Sequence, residues 1–262
     1  MNSPEKLPLS LVLIARNEAA NLPRCLDSAA PWASEVVVVV NDCTDDTVAI
    51  AKRYGAKVFE HAWQGHRDQK NIALGHATQP WVLCIDADEE VTPALAASIK
   101  EFIKRDDPQF AGAYFARCVF FLGRWIRHGD WYPDWSLRLI RRGKGKWGGS
   151  QEHDKMQLDG AEAKLVGDLN HYTCPNLRAH LQKVGYFGEI FLKRQLERQA
   201  KWSAVNAIFR AGWRFVRAYI FRAGFLDGFP GFYIACFTAY ATFYRYTLLF
   251  EYEQDQRAVG KK

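Results

Sequence analysis

The sequence predicts an α/β fold built on a Rossmann-like, doubly wound sheet. Over about the first 105 residues, short apolar runs alternate with segments whose apolar residues recur at helical spacing. Several of the apolar runs are continuous, as expected of strands that helices cover on both faces. Repeated strand–helix units of this kind form a parallel sheet with helices on both sides.

The first two strands are expected in "LSLVLIA" and "EVVVVV". Between them, "NEAANLPRCLDSAA" predicts a helix, because Leu22, Cys25, Leu26 and Ala29 recur on one face. These four residues are therefore expected to pack against the sheet.

The later units are predicted from start and stop signals. "NDCTDDTVAIAKRYG" predicts a helix that Thr44 or Asp45 caps and that Gly55 ends. "AKVFE", "RDQKNIALGHA" and "WVLCI" predict a third strand, a third helix and a fourth strand. Thr92 as N-cap and Pro93 at the first helical position begin the next helix, "PALAASIKEFIKR".

Three polar clusters follow predicted strands. They are "RNE" after the first strand, "NDCTDD" after the second and "DADEE" after the fourth. In sheets of this kind, ligands bind outside the carboxyl ends of the strands. The three clusters are therefore expected to converge on one edge and to form a binding site.

The remaining chain divides into two parts. From about 110 to 172 the pattern is β-like, and from about 175 onward it is helical and aromatic. We expect one domain over 1–175, with a donor half at about 1–105 and an acceptor half at about 106–175. Residues 176–262 are expected to form a helical region that associates with a membrane or with a second copy of the chain.

Composition excludes several classes of protein. With 48% hydrophobic and 24% charged residues, the chain is globular and not disordered. Its six cysteines include no CxxC pair, which favours reduced thiols in a cytosolic protein. The amino-terminal segment has no basic region before its apolar run, so this run is expected to be a strand and not a signal peptide.

The positive charge of the chain is concentrated in one segment. The net charge is +6, whereas Lys193 to Arg222 alone contains eight basic residues and one acid. Basic and apolar side chains alternate there, as in a helix that lies on an anionic membrane surface; a solvated basic helix or an oligomer contact would show the same pattern. The uncharged stretch from Gly228 to Tyr244 is short for a full span and contains Pro230, so interfacial or re-entrant helices are expected.

Asp86 and Asp88, in "DADEE", suggest a metal site. Two aspartates one residue apart, directly after a strand, can direct both carboxylates at one cation. Mg²⁺ or Mn²⁺ takes one or two protein carboxylates and fills its other positions with phosphate oxygens. The alternative is a solvated acidic turn before the next helix.

Taken together, "ARNEAANLPRCLDS", "NDCTDDT", "WQGHRDQKNIAL" and "WVLCIDADEEVT" resemble family 2 glycosyltransferases, which are inverting enzymes of the GT-A fold. The later segments "RLIRRGKGKWGG", "EHDKM", "GDLNHY" and "FLDGFPGFYIA" resemble the lipopolysaccharide core β-glucosyltransferases of the WaaE type. The resemblance covers nearly the whole chain. It implies a nucleotide-sugar donor and a divalent cation, Mg²⁺ or Mn²⁺.

The resemblance also implies roles for individual residues. Asp86 and Asp88 match the metal-binding DxD motif, and His171 matches a position without an assigned role. The "NDCTDDT" run is one residue shorter than is usual in the family, so either Asn41 or Asp42 contacts the base. The implied donor-binding residues are Arg16, Glu18, Asn41, Asp42, Lys70, Asn71, Asp86, Arg138 and Arg141.

An inverting transfer to a hydroxyl group needs a base. By resemblance, Asp154 is that base, Glu152 is its rival, and His153 orients the carboxylate or approaches the metal. All three could instead be loop charges. Three aromatic residues could stack on sugar rings or pack in the core: Trp131, Tyr132 and Trp135.

The combined expectation is an enzyme on the cytoplasmic face of the inner membrane. It would move a sugar, with glucose from UDP-glucose as the favoured donor, onto a heptose of the lipopolysaccharide inner core. One alternative is transfer to a polyprenyl phosphate, which needs no strong base. A second alternative, of another class, is a non-catalytic nucleic-acid-binding protein that uses the basic segment; the acidic strand ends argue against it.

Overall fold

The computed structural model describes residues 6–150, 153–173 and 177–259. The strands are β1 (Leu7–Ala15), β2 (Ala33–Val40), β3 (Lys57–Glu60), β4 (Trp81–Cys84), β5 (Glu89–Val91), β6 (Phe110–Phe121), β7 (Arg124–Ile126), β8 (Asp134–Arg141), β9 (Gly145–Ser150), β10 (His153–Leu158) and β11 (Ala161–His171). The helices are α1 (Leu22–Ala29), α2 (Thr47–Arg53), α3 (His66–Gly75), α4 (Pro93–Arg105), α5 (Leu177–Glu197), α6 (Ala204–Val216) and α7 (Gly228–Val259).

The main sheet has the strand order β3-β2-β1-β4-β8-β6-β11-β5. Strands β1 to β4 are parallel where they pair, and β8 joins the edge of β4 in the antiparallel direction. Strands β9 and β10 form a separate antiparallel hairpin. The predicted α/β arrangement with a mixed sheet and carboxyl-terminal helices is confirmed.

The chain forms two compact units. The first comprises Met1–Cys118 and Asp134–His171, and the second comprises Val119–Pro133 and Tyr172–Lys262. The sequence pattern assigns residues 119–133 to the acceptor half, whereas in the structure they belong to the second unit. The reason is a small hydrophobic cluster in which Phe121 and Ile126 pack with Ile234 of α7.

The core of the first unit follows the predicted helix face. Leu22, Cys25, Leu26 and Ala29 of α1 are buried, as the helical spacing predicts. The valine-rich strand β2 is buried along almost its whole length, which agrees with helices on both sides of the parallel strands. This part of the fold can be predicted from apolar spacing alone.

Helix α2 begins later than predicted. Its first residue is Thr47, and neither Thr44 nor Asp45 is its N-cap. Thr44 is instead held in the preceding loop, where its backbone N–H donates to Asn17 Oδ1 at 2.8 Å. Asp45 accepts from the backbone N–H of Thr47 at 3.0 Å and thereby closes a turn before the helix.

Helix α4 begins as predicted, and it is tied to β11. The Thr92 hydroxyl accepts a hydrogen bond from the backbone N–H of Leu95 and donates one to the carbonyl oxygen of Asp168 at 2.7 Å. Gly167 lies so close to this helix start that a Cβ atom there would be 2.4 Å from the Leu95 nitrogen. Strand β11 then pairs with β5 through Leu169 with Val91, Asn170 with Glu90 and His171 with Glu89.

A buried carboxylate holds the far edge of the parallel strands together. Glu35 of β2 is almost fully buried and accepts hydrogen bonds from the Ser10 hydroxyl, the Thr78 hydroxyl and the Thr78 backbone N–H. The Lys57 ammonium lies 2.7 Å from it. Burial alone would raise the pKa of Glu35, but these donors outweigh it and lower the pKa to about 2.

The second unit is built from three helices and a short strand. Ser203 caps α6, because its hydroxyl accepts from the backbone N–H of Asn206. A π-helical turn, Arg217–Phe221, follows α6. Buried Asp227 accepts from the backbone N–H of His128 at 2.8 Å and thereby fixes the start of α7. Of the helices in the described residues, none is both long and apolar enough to cross a membrane.

Candidate active site

A cavity of about 620 Å³ opens at the carboxyl ends of the parallel strands. Its wall includes residues from all three of the polar clusters that the sequence singles out, so the predicted convergence on one edge is present. Seven of the predicted site residues line it: Arg16, Glu18, Asn41, Lys70, Asp86, Asp88 and Asp154.

The acidic cluster is neutralised by cations of the protein itself. Asp86 Oδ1 lies 3.0 Å from the Lys70 ammonium, and Asp86 Oδ2 lies 3.1 Å from Arg138 Nη2. Burial would raise the pKa of Asp86, but Lys70 and Arg138 outweigh it and hold that pKa far below its usual range. Asp86 is therefore an anion that organises cations around the cavity.

Glu89 anchors the second layer of this network. Its side chain is fully buried, and one oxygen lies 3.2 Å from both Arg138 and Arg117. The other oxygen accepts from the backbone N–H of Asp86 at 2.8 Å. Arg117 also pairs with Asp134 at 2.6 Å. Glu89 thus ties both arginines to the turn that carries Asp86. The two arginines in turn offset the cost of burying its carboxylate.

Asp88 has a different partner. Its carboxylate lies 3.3 Å from His171 Nε2, and the pairing of β11 with β5 brings His171 there. The other ring nitrogen, Nδ1, is buried and has no hydrogen-bond partner in the part of the chain that the structure describes. The sequence assigns no role to His171, and only the strand pairing reveals its position.

Lys70 joins the acidic cluster to the predicted base. Its ammonium contacts Asp86 and lies 2.9 Å from Asp154 Oδ2. The Trp147 ring of β9 packs beneath it, with the ammonium 4.5 Å from the ring centroid. Lys70 projects from α3 and is largely buried, so it is not the exposed helix-surface lysine that is usual for this residue type.

A second cavity of about 430 Å³ adjoins the first. Lys70, Asp86, Arg117 and Asp154 line both cavities. Trp135 also lines the second cavity and is about half exposed. A carboxylate between two adjoining cavities can take a proton from a group bound in one as that group attacks a molecule bound in the other.

The wall of the larger cavity also includes predicted nucleotide-binding residues. Asn41 is buried, and its Nδ2 has no hydrogen-bond partner among the described residues. Asp42 is exposed, has a backbone φ of 42° and does not line the cavity. Burial raises the pKa of Glu18 despite a hydrogen bond from Asn21. Of the two candidates, Asn41 is the residue with a free donor in the wall.

Two predicted donor-binding residues lie outside the wall of the larger cavity and contact other parts of the first unit. Arg141 lies opposite Trp81 at the beginning of β4, the end of the strand away from the cavity. Its guanidinium packs 4.3 Å from the Trp81 ring centroid and pairs with Asp106 at 2.8 Å. Asn71 exchanges two 2.9 Å hydrogen bonds with the backbone of Trp147, which ties α3 to β9. Neither side chain lines the cavity.

The remaining predicted residues are divided between the two units. Glu152 lies outside the described residues, as does the side chain of His153. Trp131 belongs to the second unit and packs against Phe121 with ring centroids 5.1 Å apart, so it is a core residue there. Tyr132 follows it in the same unit.

The residues at Asp88 and His171 fit a divalent cation that is held in part by a ligand. Among the described residues, no three acidic, histidine or cysteine side chains form a ready-made metal site. Asp88 nevertheless offers a carboxylate, and His171 Nε2 lies 3.3 Å from it, so both could bind one ion. Mg²⁺ or Mn²⁺ needs only one or two protein ligands where phosphate oxygens complete its shell. Asp86 fits this role less well, because Lys70 and Arg138 occupy both of its oxygens.

Comparison with known proteins gives consistent matches. The model of the family "Glycosyl transferase family 2" matches residues 10–160. The chain is 30% identical to the lipopolysaccharide core biosynthesis glycosyltransferase LpsC of Rhizobium meliloti, over 93% of this chain and 94% of that protein. It is 28% identical to an uncharacterized glycosyltransferase of Rickettsia typhi, over 96% of this chain and 89% of that one.

The fold also has a counterpart among solved structures. Residues 1–349 of S. aureus TarS, crystallised in complex with UDP-GlcNAc, align with a TM-score of 0.51 and 15% identity. The alignment covers 94% of this chain and 92% of that one. At this level of identity the likeness concerns the fold.

Proposed function

This chain belongs to glycosyl transferase family 2, and on that premise we propose that it transfers a sugar from a nucleotide sugar to the lipopolysaccharide inner core. Glucose from UDP-glucose is the expected donor, and a core heptose is the expected acceptor. The name of its relative LpsC supports the core as acceptor, since the two chains match over almost their full lengths. The observation that carries the proposal is the position of Asp154 in the walls of two adjoining cavities.

The donor is expected in the larger cavity. Asn41, Glu18 and Arg16 offer an unpartnered amide, a half-buried carboxylate and an exposed guanidinium to the nucleoside. The ammonium of Lys70 lines this cavity beside Asp86 and Asp154, and it is proposed to contact a phosphate oxygen of the donor. Buried Arg138 has an Nη1 without a hydrogen-bond partner among the described residues.

Asp88 and His171 are the residues proposed to hold Mg²⁺ or Mn²⁺. When bound, such an ion neutralises the charge that develops on a departing diphosphate. Lys70 and Arg138 would stabilise the same negative charge, because Asp86 and Glu89 hold these two cations in position before the reaction begins.

The transfer is proposed to be a single displacement with inversion. The acceptor hydroxyl oxygen forms a bond to the anomeric carbon while the bond from that carbon to the diphosphate oxygen breaks. The hydroxyl proton passes to Asp154, and the nucleoside diphosphate leaves with the electron pair. Trp135, exposed in the smaller cavity, offers a ring face for the acceptor sugar.

The second unit is proposed to associate with an anionic membrane on its cytoplasmic face. In this unit, helix α6 exposes the apolar residues Val205, Ile208, Phe209 and Trp213. Basic side chains lie between and after them in the sequence. An amphipathic basic helix of this kind binds at a lipid interface without crossing it. An acceptor anchored in that leaflet would then be at the same membrane surface as the enzyme.

A donor screen tests the proposal. Thermal stabilisation and slow hydrolysis are measured for a panel of nucleotide sugars with and without Mn²⁺. UDP-glucose with Mn²⁺ should stabilise the wild type, and Asp88→Asn should lose most of this response. Glu101→Gln, an exposed acid on α4, should respond like the wild type. Stabilisation by none of the nucleotide sugars contradicts the proposal.

The acceptor is identified by product analysis. Purified inner-core oligosaccharide and a polyprenyl phosphate are offered with the preferred donor. Transfer to the oligosaccharide, with the β linkage that inversion of an α-linked donor produces, supports the core acceptor. Transfer to the polyprenyl phosphate alone favours the alternative.

A further inference from the structure

The second unit contains a cavity that residues of this unit alone line. Its volume is about 310 Å³, and it lies among α5, α6, the π-helical turn and α7. Four arginines line it: Arg210, Arg214, Arg217 and Arg245. The other lining residues are Phe191, Trp213, Thr242 and Tyr246, so within the described part of the chain no carboxylate lines this cavity.

The cluster has a large excess of positive charge. Two of these arginines pair with Asp130, which is almost fully buried and lies 3.3 Å from Arg214 and 3.2 Å from Arg217. Arg222 approaches the same carboxylate at 3.6 Å. One negative charge therefore pairs with three arginines, and Arg210 and Arg245 form no ion pair with another of the described residues.

Arg245 is the most exceptional member. Its side chain is partly buried, and its Nε has no hydrogen-bond partner among the described residues. Burial lowers the pKa of Arg245, and the like charge of Arg214 lowers it further. A cation held in this way contributes little to folding, since both effects disfavour its charge. Its position is more easily explained by an anion that it binds.

The wall of the cavity suits a tetrahedral anion. Guanidinium groups offer paired N–H donors that match phosphate oxygens. Arg210 packs 5.7 Å from the centroid of the Tyr246 ring, which helps to hold its guanidinium in the cavity wall.

We propose that this cavity binds the phosphate group of an anionic lipid at a membrane surface. The lipid is favoured over a soluble phosphate ester because the same helix presents apolar side chains to solvent. Ile208, Phe209 and Trp213 of α6 are each at least half exposed, although they are apolar and adjoin the arginines. Acyl chains would cover these side chains while the phosphate enters the cavity. The inference rests on the proposed membrane association of the second unit and not on the sugar-transfer chemistry of the first unit.

Two variants and a matched control test the site. Arg245→Met removes the unpaired cation, and Arg210→Met removes an exposed one that could be lost without affecting folding. Arg198→Met makes the same change of net charge at an exposed position of the same basic segment, outside the cavity. Binding is measured by co-sedimentation with vesicles of phosphatidylcholine, with and without phosphatidic acid, and in the presence of inorganic phosphate.

Wild-type protein should bind the phosphatidic acid vesicles, and inorganic phosphate should compete. Arg245→Met and Arg210→Met should each weaken this binding by about tenfold, the effect of one charge-assisted contact, while Arg198→Met stays within about twofold. Equal losses in all three variants indicate diffuse charge attraction and overturn the proposal. A different result would be that inorganic phosphate stabilises the wild type, that Arg245→Met abolishes this stabilisation, and that vesicle binding is the same in both proteins. The cavity would then bind a soluble phosphate, and the lipid would be excluded as the source of the phosphate group. Stabilisation of Arg245→Met by UDP reports separately on the donor site.

Discussion

The ammonium of Lys70 lies 2.9 Å from a carboxylate oxygen of Asp154, so the proposed base is ion-paired with the same lysine that contacts Asp86. Replacing Lys70 by Met removes the ion pair of Asp154 and one of the two cations that contact Asp86, which keeps its contact with Arg138. We expect kcat/KM to fall by about a hundredfold or more, since a charged donor to a phosphate is typically worth several kcal/mol in such a site. Steady-state kinetics of transfer measure the change.

Lys52→Met serves as the control for Lys70, because Lys52 is exposed on α2 and lines neither cavity. Lys70→Arg keeps the charge and should recover part of the donor affinity. An unchanged kcat/KM in Lys70→Met would show that the lysine is merely structural.

Asp154→Asn should abolish the proton transfer but leave the donor in place. We expect kcat for a hydroxyl acceptor to fall by about 10²–10⁴, the usual contribution of a general base, with UDP affinity within about twofold of wild type. Rapid-quench kinetics and UDP titration separate the two quantities. If transfer to a polyprenyl phosphate survives undiminished, the acceptor is a phosphate and Asp154 is not needed as a base.

His171→Ala should weaken the binding of the cation and not the binding of the nucleotide. We expect the Mn²⁺ concentration for half-maximal stabilisation by UDP to rise by about tenfold or more, as is typical when a group that binds or orients a metal is lost. Differential scanning fluorimetry across a Mn²⁺ titration gives this value. His61→Ala, which changes a histidine outside the cavity wall, is the matched control. An identical titration in His171→Ala would exclude the imidazole from the metal site.

Glu35→Gln should destabilise the first unit at neutral pH. The folded pKa of Glu35 is lowered to about 2 from its usual value of 4.5, so its charged form stabilises the fold above about pH 4.5. This contribution is lost as the pH falls from 4.5 through 2. We expect a loss of roughly 1–3 kcal/mol in the free energy of unfolding at pH 7, because a buried, hydrogen-bonded charge is removed.

Urea denaturation at several pH values measures this effect. The difference between wild type and Glu35→Gln should shrink as the pH falls below about 4.5. Glu60→Gln, an exposed acid on β3, should show no such dependence. A difference that stays constant down to low pH would mean that packing and not ionisation is responsible.

The parallel half of the fold could be predicted because each of its signals is local. The burial of Leu22 and Leu26 follows from helical spacing, and the Thr92 cap follows from residue type and position. The convergence of Glu18, Asn41 and Asp86 follows from a general rule about strand ends. None of these inferences requires knowledge of which distant segments pair.

The antiparallel half could not be predicted in the same way. Arg117 and Trp147 complete the network around Asp86, but they reach it through the order β4-β8-β6 and the hairpin that β9 begins, which sequence spacing does not give. Arg141 does not line the cavity, for a related reason. Three residues along a strand span about 10 Å, so Arg138 and Arg141 reach opposite ends of β4.

The ladder between β11 and β5 is only three pairs long, yet it alone decides that an imidazole and not an amide stands beside Asp88. Inserting or deleting one residue between Gly167 and His171 would turn every following side chain to the other face. A substitution between Gly167 and His171 therefore keeps the register, whereas a change of length in this segment does not. In related sequences, insertions and deletions should instead occur in the turn at Asp159 and Gly160, where an added residue leaves the residues of the proposed site in place.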